Sequence, residues 1–169
     1  MGKPGENDIM LYTKDFSALA NLNKSGRLGK IQTISLSANY ALGTATKESL
    51  KADLARLVIL AGGHIDNVSV VASKKHFPHG IVTLYLQNDA LIRYSFTEMN
   101  VTARKEWGVY ATDAEVYFNE GEDLISLKIP VADIKAEELA VKDYCENAVE
   151  ETLCANDEKC IANVVDELL

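Results

Sequence analysis

The sequence predicts an α+β fold: a mainly antiparallel sheet of about five to six strands, one crossing helix at about 46–61, and a C-terminal helical segment. Three observations carry that expectation. Apolar and polar residues alternate with period two at 30–40 and in three closely spaced runs between 68 and 96. One strong stripe of helical period falls at 50–61, and helical spacing takes over from Asp133 to the C-terminus. At 169 residues and 47% apolar composition, the chain can bury one core and is too apolar to be disordered throughout.

In chain order, residues 1–7 read as a flexible leader, 8–131 as the sheet domain, and 132–169 as acidic helices packed on it or on a partner. "DIMLYTK" at 8–14 suits a short strand and "DFSALANLN" at 15–23 a helical turn or two. In "KIQTISLSANY", Ile34, Leu36, Ala38 and Tyr40 alternate with Thr33, Ser35, Ser37 and Asn39, the pattern of a half-buried strand. Leu50, Leu54, Leu57, Val58 and Ala61 then make the apolar stripe of the crossing helix. Thr44 or Thr46 can cap its start, Glu48 suits the positive end of the helix dipole, and Gly62–Gly63 can end it in a left-handed turn.

Strands follow at 68–73, 81–86 and 90–96. With Ser73 opposite Ile81 and Leu86 opposite Ala90, one register lines up Val68, Val70, Val82, Leu84, Ile92, Tyr94 and Phe96 on a single face. That agreement predicts a meander, whose opposite face carries Thr83, Tyr85 and Arg93. A second hairpin is expected from 108–118 and 124–131 joined by "NEGED", with Pro130 at an edge or strand end. In the C-terminal segment, Val141, Tyr144, Cys145, Ala148 and Val149 form one stripe. After a break near "ANDE", with Asn156 or Asp157 as cap, Ile161, Val164, Val165 and Leu168 form another.

All three histidines, His64, His76 and His79, lie within sixteen positions, which raises the question of a metal site. The strand at 68–73 separates His64 from the other two by roughly 30 Å at about 3.3 Å per residue. Cys145, Cys154 and Cys160 contain no C-x-x-C pair. The expectation is therefore no bound metal and no stoichiometric zinc. No G-x-S-x-G, H-E-x-x-H or G-x-G-x-x-G occurs. "GTATKES" at 43–49 resembles a phosphate loop only in part, because the glycine before the lysine is missing. No catalytic residue and no cofactor are assigned.

The charge is uneven: residues 1–105 hold 13 basic against 8 acidic side chains, and 106–169 hold 4 against 17. The reading this favours is a non-enzymatic assembly or regulatory module whose acidic C-terminal helices contact a protein partner or a second copy, through Ile161, Val164, Val165 and Leu168. One alternative is a nucleic-acid-binding protein with a basic sheet body. Lys74, Lys75, His76, Phe77 and His79 in the "KKHFPHG" loop, with Tyr85 and Arg93 on the sheet, would then contact phosphate and bases. A second alternative is an enzyme whose site assembles from distant residues. No apolar run is long enough to span a bilayer and no secretory pattern opens the chain, so the cytoplasm is expected and a membrane partner is not.

Overall fold

The computed structural model describes residues 23–24, 26, 28–100, 102–120 and 153–169 with their side chains, and the backbone of two further strands at 6–12 and 124–130. The strands are β1 (Glu6–Tyr12), β2 (Ile31–Ala41), β3 (Ile65–Ser73), β4 (His79–Leu86), β5 (Leu91–Met99), β6 (Arg104–Ala111), β7 (Glu115–Asn119) and β8 (Leu124–Pro130). The helices are α1 (Lys47–Ala61) and α2 (Ala155–Leu168). One eight-stranded sheet runs in the order β1-β8-β7-β6-β2-β5-β4-β3. Only β2 and β5 pair in parallel; every other neighbouring pair is antiparallel. The α+β class and the mainly antiparallel sheet stand as the sequence predicts.

Helix α1 forms where its stripe and caps place it. Thr46 accepts from Ser49 N at 3.1 Å while Ser49 Oγ receives the Thr46 N–H at 3.0 Å, a reciprocal capping box. Gly62 closes the helix at φ 73°, donating its N–H to Val58 O, a conformation that suits glycine. The buried face of α1 lies on β2 and β5, and α2 lies beside it on β3 and β4. Both helices therefore cover one side of the sheet, and the core sits between them and the alternate residues of β2, β4, β5 and β6.

Some local details differ from expectation. The β4–β5 register is as read, with Leu84 opposite Ile92 and Val82 opposite Tyr94. In β3–β4, however, Ser73 pairs with His79 rather than Ile81, because the connecting loop is two residues shorter. An even shift keeps every side chain on its face, so the core is unchanged. The run 108–118 is two strands, split by a turn in which Ala111 N donates to Ala114 O at 2.9 Å. Thr112 and Asp113 donate there to the carbonyls of Lys30 and Leu28, which pins the turn to a distant segment. Helix α2 begins at Ala155 with Cys154 in the cap position, so neither Asn156 nor Asp157 caps it. Residues 131–152, with the stripe at 141–149, and most of 15–23 lie outside the described residues.

Candidate active site

A carboxylate interrupts the apolar stripe of α1. Asp53 lies one turn after Leu50 and one before Leu57, and it is completely buried. A buried charge persists only with partners, and Asp53 has four. Its Oδ2 accepts from the Tyr40 hydroxyl of β2 at 2.5 Å and the Tyr94 hydroxyl of β5 at 2.8 Å. Its Oδ1 accepts from Lys105 Nζ of β6 at 2.6 Å and Arg56 Nη2 of α1 at 2.9 Å. Arg56 also grips Glu120, Nη1 to Oε1 at 2.8 Å and Nη2 to Oε2 at 3.1 Å, and Trp107 Nε1 donates to Glu120 Oε2 at 3.2 Å.

The register explains why these groups meet. Tyr40 and Tyr94 alternate with the open-face residues of β2 and β5, so both rings point toward α1. Lys105 of β6 lies opposite Ala38 of β2 and points the same way. The cations also rest on aromatic faces: Lys105 Nζ is 5.0 Å from the Tyr40 ring centre, and the Arg56 guanidinium 5.4 Å from that of Trp107. Trp107 in turn stacks on Phe118 at 5.6 Å. The result is a packed polar network, buried at Asp53 and Tyr94, that reaches solvent at Lys105, Arg56 and Glu120, all three partly exposed.

Electrostatics set the protonation states. Burial pushes the Tyr40 and Tyr94 hydroxyls upward, and the Asp53 charge pushes them further. Burial works to lower Lys105, but the hydrogen bonds and charges of Asp53 and Tyr40 together outweigh this and hold the ammonium above its ordinary value. Burial would raise Glu120, yet the Arg56 pair holds it below. At neutral pH Lys105 and the tyrosines therefore stay hydrogen-bond donors, and Glu120 stays an acceptor. Such a site can bind and orient hydroxyl or carbonyl oxygens, and Lys105 acts as a hydrogen-bond donor or acid rather than a base.

The residues singled out from the sequence lie elsewhere. His64 precedes β3, whereas His76 and His79 lie at its far end. Lys74 Nζ donates to the Asp166 carbonyl at 2.9 Å, which ties the "KKHFPHG" loop to α2. His76 takes a positive φ of 61°, His79 Nδ1 lies 2.8 Å from Phe77 O, Phe77 is exposed, and Lys75 N lies 3.3 Å from Ser73 Oγ. Tyr85 is exposed on the face of the sheet opposite α1 and α2, and Arg93 lies opposite Thr83, as expected. Arg93 lines a shallow depression of about 320 Å³ with Ser35, Gly108, Tyr110 and Tyr117, away from the lysines. Ile161, Val164, Val165 and Leu168 are buried by the chain's own α1, β3 and β4, so this stripe is core rather than a partner surface. Sequence reasoning missed the Asp53 network. Its signal was present in one polar position inside an apolar helical stripe and two tyrosines on apolar strand faces.

No family model matches the chain, and no curated protein matches it. Solved structures do. A Thermotoga maritima protein assigned as an oxidoreductase superposes with a TM-score of 0.63 at 11% identity, over 91% of this chain and 56% of that one. UDP-N-acetylglucosamine 3-dehydrogenase GnnA from Acidithiobacillus ferrooxidans gives 0.59 at 12% identity, over 92% and 56%. GenD2 from gentamicin A biosynthesis, in complex with NAD, gives 0.59 at 10%, over 92% and 57%. The chain thus spans little more than half the length of the structures it resembles. A fold shared with oxidoreductases overturns the expectation of a non-enzymatic assembly module and lends no support to protein–protein or nucleic-acid binding; the enzyme alternative fits better. Among the described residues no helix is long and apolar enough to cross a membrane.

Proposed function

We propose that this chain is the substrate-side part of a dehydrogenase acting on a hydroxyl group of a sugar-like compound. The observation that carries the reading is the Asp53–Tyr40–Tyr94–Lys105 network, which reaches the surface at Arg56 and Glu120 on the helix-covered side of a sheet that resembles those of a UDP-N-acetylglucosamine dehydrogenase and of an NAD-bound protein of gentamicin A biosynthesis. Polar groups that keep their charge while partly shielded suit a polyhydroxylated ligand, because each can replace a water on a hydroxyl oxygen.

A dinucleotide does not fit the described residues. Such a site uses a glycine-rich turn between a strand and a helix, whose free N–H groups meet the pyrophosphate. Here the turn from β2 into α1 has Gly43 as its only glycine, and the Thr46–Ser49 box already engages the first-turn N–H of Ser49. No step of the reaction is therefore assigned to a nicotinamide on this chain. The residues present bind, orient and hold protons in place. The free thiols of Cys154 and Cys160 favour a reducing, cytosolic setting.

Trp107 is the only tryptophan in the chain and packs against Arg56 and Glu120 of the network, so its fluorescence reports on this site alone. Titration with UDP-N-acetylglucosamine, free hexosamines and cyclitols should shift the emission saturably for at least one of them. Lys105→Met should weaken that ligand about tenfold or more through one lost charged hydrogen bond. A flat response to the whole panel, or binding indifferent to Lys105→Met, would remove the reading.

A further inference from the structure

We infer that His64, Cys154 and Asp157 form a three-ligand site for a zinc-type divalent metal ion, joining the N-terminus of α2 to the start of β3. Among the described residues it is the one group of three metal-ligating side chains whose donor atoms all lie within 4.8 Å of one another. His64 Nδ1 is 3.0 Å from Asp157 Oδ2 and 3.6 Å from Cys154 Sγ. Tetrahedral coordination at ordinary Zn–N, Zn–O and Zn–S lengths places such donors about 3.3 Å and about 3.5 Å apart. These two separations match to within a few tenths of an ångström, and the third, between Cys154 and Asp157, is within 4.8 Å.

Each ligand is held by something other than the site. The His64 carbonyl accepts from Gln87 N at 2.8 Å, which anchors the residue just after the α1 cap. Asp157 is buried in the first turn of α2, and its Oδ1 accepts from Ile65 N at 3.1 Å. Cys154 sits at the cap of α2, where Ser, Thr, Asp or Asn is preferred, and makes no capping hydrogen bond. The thiol instead faces His64. A soft thiolate, an imidazole and a carboxylate are a zinc donor set. His64 and Cys154 are exposed, which leaves the fourth position to water.

Binding converts the Cys154 thiol to thiolate with release of its proton, and His64 coordinates through Nδ1 with its proton on Nε2. With the Asp157 carboxylate, the two negative ligands balance the ion's charge, and affinity falls as pH is lowered. The site lies apart from Trp107, and this inference does not rest on the dehydrogenase reading.

The test uses the full chain, stripped with a chelator, then titrated with Zn²⁺ by calorimetry and with Co²⁺ by absorption. One ion per chain is expected, with a thiolate-to-cobalt charge-transfer band and a melting temperature that rises with the metal. Cys154→Ser should abolish the band, and both Cys154→Ser and His64→Ala should weaken Zn²⁺ about a hundredfold, as loss of a ligand costs at least what loss of its supporting partner does. Both positions are exposed, so unchanged circular dichroism should accompany the loss. Cys160→Ser and His76→Ala should leave the band and the affinity intact. The inference is overturned if Zn²⁺ binds no tighter than millimolar, if the band survives Cys154→Ser, or if it depends on Cys160 or His76.

Discussion

The Tyr94 hydroxyl of β5 donates to Asp53 Oδ2 of α1 at 2.8 Å, with both residues fully shielded from solvent. This bond spans the seam between the central sheet and the helix layer, and the same carboxylate gathers Tyr40, Lys105 and Arg56. Asp53→Ala leaves two hydroxyls and the Lys105 ammonium without this acceptor, while Arg56 keeps Glu120. The expected loss is about 3–5 kcal/mol, the range for breaking a buried ion pair from one side. A shift of less than about 1 kcal/mol in urea unfolding would mean that water substitutes freely for the carboxylate.

Alkaline pH should loosen the same seam. Tyr40, Tyr94 and Lys105 all have folded-state values raised above their ordinary ones, so the stability they contribute is full below about pH 10 and is lost as pH climbs toward the folded values. Unfolding free energy measured between about pH 9 and 12 should decline. The double variant Tyr40→Phe, Tyr94→Phe should decline less steeply. Equal slopes would show that other groups govern the alkaline limb.

Gly80 on β4 faces Leu168 of α2 so closely that an added Cβ would lie 2.7 Å from Leu168 Cδ2, 3.0 Å from Ala72 Cβ and 3.0 Å from Val71 O. Gly80→Ala should cost about 1–3 kcal/mol by overpacking, and Leu168→Ala about 2–5 kcal/mol by leaving a cavity. Together they should lose less than the sum, because each relieves the other. The loss should not depend on protein concentration, since the stripe is covered within one chain. Strict additivity would place Leu168 away from Gly80 in solution.

Thr46→Ala removes the side-chain half of the α1 capping box. A loss of about 1 kcal/mol is expected by thermal or denaturant unfolding. No change would show that the Ser49 hydroxyl, which reaches Thr46 N and Thr46 O, holds the helix start unaided.

What the sequence determined is local or periodic. The stripe of Leu50, Leu54 and Leu57, the Thr46 and Gly62 caps, and the pairing of Leu84 with Ile92 follow from spacings of 2, 3.6 or one turn, which short-range sterics and burial enforce. The α+β class follows from the same periods. Only the tertiary structure decided what covers each face and which distant groups meet. The turn at 112–113 exists because the carbonyls of Leu28 and Lys30 receive its N–H groups, so the run 108–118 becomes two strands. The stripe of Ile161, Val164, Val165 and Leu168 wanted burial, and the fold supplies that burial inside the chain. Asp53 finds Lys105 across 52 positions, and His64 finds Asp157 across 93. Such meetings depend on sheet order and helix placement. A charge buried in a low-dielectric seam gains enough from its partners to be kept there, but no periodicity in the sequence encodes who those partners are.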